Sequence, residues 1–83
     1  QLKTGDYIVL EPDLSGWHYI THYYEPVTER DRSTGHEGWQ SVAALALRIE
    51  QPVVLAENLC SPRREHVARR LRQAGVVVIN GDD

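Results

Sequence analysis

The sequence predicts one small α/β (or α+β) domain, with two helices packed on a mixed four-stranded sheet in the order β-β-α-β-α-β. Three observations lead there. Two β-rich segments near the start are joined by turn residues alone. A stretch with helical apolar spacing follows. The last third then reads strand, helix, strand, the pattern of a parallel βαβ unit with a right-handed crossover.

"GDYIVLEP" (5–12) is β-rich and bounded by Gly and Pro, so it reads as a strand. "DLSG" (13–16) is turn chemistry. "WHYITHYY" (17–24) is a second strand, with Trp17, Tyr19, Thr21 and Tyr23 on one face and His18, Ile20, His22 and Tyr24 on the other. The short connection implies an antiparallel hairpin. "EPVTERDRSTGHEG" (25–38) is polar and punctuated by Pro26, Gly35 and Gly38, and reads as a loop. In "WQSVAALALRIE" (39–50), Val42, Leu45, Ala46 and Ile49 repeat at the helical interval. Ala43 and Leu47 form a second apolar flank, which suggests a further neighbour and makes self-association an expectation.

"PVVLAE" (52–57) and "VVVIN" (76–80) are short continuous apolar runs, the mark of buried strands. Between them "SPRREHVARRLRQAG" (61–75) is a helix: Ser61 caps it, Pro62 takes the first helical position, and Gly75 follows the last turn. At 100° per residue, Val67, Ala68, Leu71 and Ala74 make the buried stripe. Arg63, His66, Arg69, Arg70 and Gln73 cover the outward arc, and Arg72 flanks it beside Glu65. Arg64 falls on the buried side in the first turn, where its head can reach water.

Composition narrows the function classes. Eighty-three residues, 41% hydrophobic and 25% charged, suit one globular domain (1–83) rather than a disordered chain. The net charge is −3, yet residues 1–61 carry four basic and nine acidic groups while 62–83 carry five arginines against three acids. An acidic whole argues against bulk DNA binding and leaves room for a local basic patch. The lone Cys60 cannot form an internal disulfide, which favours a reducing, cytoplasmic setting. No apolar run approaches the ~20 residues of a membrane span, and "QLKTGDY" has no signal-peptide core. The chain does not begin with Met, which suggests trimming or a longer parent.

Four places in the sequence hold residue types suited to catalysis or metal binding. A strand, a Cys60 loop and a helix in succession resemble the layout of rhodaneses and cysteine phosphatases, which implies an oxyanion cradle of backbone N–H groups. His66 stands where those families place an arginine, "CSPRRE" has no glycine, and Pro62 removes an N–H. No family is identified. The strand ends carry Glu57, Asn58, Asn80, Asp82 and Asp83, oxygen ligands of the kind that hold Mg²⁺. His18 and His22 lie roughly 13 Å apart on a strand, too far to share a metal. His36 lies near Glu37, Asp31 and Glu29, a pairing suited to acid–base work, with no nucleophile in a fixed relation to it. No cofactor motif is present in the sequence.

Three functional classes follow. The first is a non-enzymatic interaction module for a protein partner, a regulator or inhibitor, using Arg63, His66, Arg69, Arg70 and Arg72 or the hairpin aromatics Tyr19, Tyr23 and Tyr24. Tyr, Trp and Arg are the residues that anchor interfaces. The second is a nucleic-acid-binding domain using the same arginines. The third is a small enzyme built on Cys60 or the strand-end carboxylates.

Overall fold

The computed structural model describes residues 6–15 and 18–80. The fold class is α+β, with two helices and a mixed sheet of five strands rather than four. The strands are β1 (Ile8–Pro12), β2 (Tyr19–Glu25), β3 (Arg30–Glu37), β4 (Val53–Leu55) and β5 (Val78–Ile79), in spatial order β3-β2-β1-β4-β5. The helices are α1 (Trp39–Ile49) and α2 (Arg63–Gln73).

The predicted hairpin is present: β1 and β2 pair antiparallel, Val9 opposite His22 and Leu10 opposite Thr21. Asp13 organises the intervening turn. Its carboxylate accepts from Ser15 Oγ at 2.6 Å and from the His18 N–H at 3.3 Å, while its own N–H donates to the His18 carbonyl. The predicted parallel βαβ unit is present too, with β4 beside β5, Val53 opposite Val78. A second parallel pair, β1 with β4, places Ile8 opposite Val53 and makes β1 the centre of the sheet.

The expectation of a loop over 25–38 is overturned. A tight turn with Glu29 at φ 55° reverses the chain, and 30–37 pairs antiparallel with β2. β3 is a sheet edge and lies largely exposed, so "RDRSTGHE" needs no apolar alternation to be a strand. A register shift lies between Tyr19 and Thr21, and the Thr21 and Thr34 hydroxyls meet across the pair.

Both helices cover one face of the sheet. Ile8, Leu10, Tyr19, Tyr23, Val53, Leu55 and Val78 point from the strands into one cluster with Val42, Leu45, Val67 and Leu71 of the helices. Burying a side chain such as Leu71, fully enclosed here, stabilises by about 1.5–3 kcal/mol. In α1 the buried set is Val42, Ala43, Leu45 and Ala46; Leu47 stays half exposed. The helix stops where Glu50 turns left-handed at φ 55°. In α2 Val67, Ala68 and Leu71 are buried, but Ala74 is exposed, because the helix has already ended at Gln73. Ser61 does not cap α2. The flanking residue is Pro62, which has no side-chain acceptor, and no side-chain hydrogen bond caps the helix. Gly75 follows at φ +94°, the left-handed backbone that favours glycine, and the Val76 N–H returns to the Leu71 carbonyl. Among the described residues no helix is long and apolar enough to cross a membrane.

Candidate interaction surfaces

The arginines of α2 do not leave the domain on one face. Four of the five are committed to different neighbours. The Arg63 guanidinium stacks over the Tyr19 ring at 4.4 Å and donates to the His18 carbonyl. Arg64, expected to reach water, turns inward: Nε donates to the Leu59 carbonyl at 2.8 Å, Nη2 to the Ala56 carbonyl at 2.6 Å and Nη1 to Asn80 Oδ1 at 2.5 Å. Arg70 leans over the Trp39 ring at 5.9 Å, toward α1. Arg72 points the other way, where its Nη2 donates to the Val78 carbonyl at 3.1 Å. His66 and Arg69 remain on the outward arc, both exposed. A shallow concavity of about 630 Å³ beside β5 is lined by Glu65, Arg69, Arg72 and Asn80.

Two hairpin aromatics are not available as contacts. Tyr19 and Tyr23 are buried at 5% and 7% exposure, because their face of β2 is the one under the helices. Tyr24 stands on the opposite face, half buried. Trp17 lies outside the described residues.

Cys60 is exposed, and its Sγ lies 3.8 Å from the Asn58 carbonyl. The two arginines that follow it at the start of α2 are engaged elsewhere: Arg63 on Tyr19 and Arg64 on backbone carbonyls. At the strand ends Glu57 and Asn58 are exposed and Asn80 is held by Arg64; Asp82 and Asp83 lie outside the described residues. Among the described residues no group of three His, Cys, Asp or Glu is placed to hold a metal ion.

The surface that sequence reasoning missed is the other face of the sheet. Alternation puts Val9, Glu11, Ile20, His22, Tyr24, Val54 and Ile79 there, with Asp31 and Ser33 from β3. No described helix lies over it. Register aligns one row across all five strands: Ser33, His22, Val9, Val54, Ile79. His22 Nε2 bonds Glu11 Oε2 at 2.5 Å, both side chains part exposed. A concavity of about 380 Å³ opens beside them, lined by Tyr7, Val9, His22, Asp31, Arg32 and Ser33 among others. The signal was obscured because 30–37 reads as loop, so its residues had no assigned face.

On the helix side a second cross-layer pair sits at the end of β2. Arg48 Nη2 donates to Glu25 Oε2 at 2.9 Å, and this bond, aided by the Val27 N–H and the nearby Arg32, holds the Glu25 carboxyl below its ordinary range. Burial works against the charge and does not win.

Comparison with protein-family models, with curated proteins and with solved structures finds no match for this chain.

Proposed function

We propose that this domain is a non-enzymatic, cytoplasmic module that binds another protein through the open face of its sheet. One observation carries the reading. Three strands of the sheet, β1, β4 and β5, run parallel, yet the described helices cover a single face. Sheets with parallel strands are normally covered on both sides, because their strands are apolar on both. Here the uncovered side carries Val9, Val54 and Ile79 in register. An apolar strip rimmed by polar and aromatic groups is the anatomy of a protein-binding patch.

The experiment is site-specific photocrosslinking in cells. A photoreactive phenylalanine analogue replaces Tyr24 on the open face, or Gln73 on the outward arc of α2. A discrete protease-sensitive adduct at position 24, lost when Val54 is also replaced by Asp in a variant that still folds, is the expected result. Absence of any adduct at 24 overturns the reading.

Nucleic-acid binding through α2 is the second reading, favoured by its exposed His66 and Arg69. It is weakened by Arg63, Arg64 and Arg72 being tied to this chain's own backbone. A nuclease-sensitive adduct at position 73, with steep salt dependence, would carry it instead.

A further inference from the structure

A further hollow lies between the last turn of α1, the connection to β4 and the segment leading into β5, and it shares no lining residue with the concavity of the open face. It holds about 420 Å³, within the range of about 300–1,000 Å³ that small-ligand sites occupy. Its walls are mostly apolar: Ala46, Leu47, Pro52, Val76 and Val77. Of the four large apolar side chains that stand exposed among the described residues, Leu47 and Val77 are both here.

One enclosed polar atom of this wall is unmet. Gln51 is 9% exposed, and its Oε1 is shut off from solvent and accepts no hydrogen bond. The other end of the amide fixes which way the group lies, because Nε2 donates to the Tyr24 carbonyl at 3.3 Å. That is long beside the usual ~2.9–3.0 Å, which leaves the amide room to turn its oxygen toward a bound group. An enclosed acceptor without a donor destabilises the structure around it, and a ligand that brings the donor removes that penalty. The walls have little to donate in return. The N–H groups of Glu50 and Gln51 both go to the Ala46 carbonyl, and those of Gly75 and Val76 to the Arg72 and Leu71 carbonyls. Pro52 has no N–H. Glu50, the one charged residue of the wall, is exposed and is again an acceptor.

A ligand suited to this hollow is therefore apolar over most of its surface, donates once and brings no acceptor. A hydroxyl fails the last condition, because its oxygen carries lone pairs that no wall group meets; a ring N–H satisfies it. We propose that the hollow is a binding site for an apolar ring with a single N–H, the chemistry of an indole, with Gln51 Oε1 as its acceptor.

The test follows the amide NMR signals of the whole chain on adding indole, or benzofuran, which has the same shape with oxygen in place of the N–H. Indole is expected to shift Leu47, Gln51 and Val77, the Gln51 side-chain amide included, and to bind at least about fivefold tighter than benzofuran. Gln51→Met, which keeps the length and removes the acceptor, is expected to equalise the two rings. No shifts at these residues, or equal affinity of the two rings for the native chain, overturns the proposal. So does an undiminished preference for indole in a folded Gln51→Met chain; the native-chain comparison decides even where that variant does not fold. N-acetyltryptophanamide, titrated beside indole, tells the source of the ring. Tighter binding than indole assigns it to a tryptophan of a partner chain, weaker binding to a free small molecule, and either upholds the site.

Discussion

Arg64 Nη1 donates to Asn80 Oδ1 at 2.5 Å and so joins the first turn of α2 to the end of β5. The same guanidinium holds the carbonyls of Leu59 and Ala56, beyond the end of β4. One planar fork thus closes the βαβ unit at the strand ends. Arg64→Met is expected to lower the free energy of unfolding by about 2–4 kcal/mol, because three acceptors lose a charged donor. Arg64→Lys recovers less than half, since an ammonium cannot span the same three acceptors. Urea denaturation of the three proteins reads both effects.

Glu25 and Arg48 set the acid response. The ordinary glutamate value is 4.5, and the folded value lies below it. Stability from the pair is therefore fully present above that ordinary value and is lost as pH falls through the folded one. The melting temperature of the native chain is expected to fall over this acid window more steeply than that of Glu25→Gln. Parallel curves would show that the carboxylate does not couple to folding.

Leu59 lies in the connection between β4 and α2 and is 1% exposed. Leu59→Ala is expected to destabilise by about 2–4 kcal/mol, as large-to-small changes in a closed core do. Leu47→Ala and Val77→Ala, at 51% and 68% exposure, should each stay within about 0.5 kcal/mol of the native chain. Thermal melts of the three variants check the contrast.

Arg72 guards the β5 edge. The Val77 carbonyl accepts from the Val53 N–H, so the next carbonyl, that of Val78, faces away from β4 and is taken by Arg72. An unguarded edge recruits other strands. Arg72→Ala is expected to cost less than about 1 kcal/mol in stability. Its main effect should be concentration-dependent association, seen as a mass increase in light scattering that the native chain lacks.

The C-terminal half was the more legible in sequence. "PVVLAE" and "VVVIN" are buried on one face and flank a helix whose Val67, Ala68 and Leu71 fell on the expected side. The β1–β2 hairpin was legible because Tyr19, Thr21 and Tyr23 alternate with Ile20 and His22. β3 was not legible. An edge strand is held by backbone hydrogen bonds to a single neighbour, so side-chain pattern carries little trace of it. The arginine contacts were hidden for a different reason. Angular position on α2 states which way Arg63, Arg64 and Arg72 leave the helix axis, but not that long side chains fold back onto the His18, Leu59 and Val78 carbonyls. Burial of Tyr19 and Tyr23 likewise depends on which face receives the helices, a choice that alternation alone leaves open.

β1 is central to the sheet although it comes first among the described strands, and its parallel partner lies far along the chain, Ile8 opposite Val53. The entropy of closing that long loop is met before the pairing rewards it. The β1–β2–β3 meander, whose partners are near in sequence, therefore forms more readily than the parallel half that β1 also anchors.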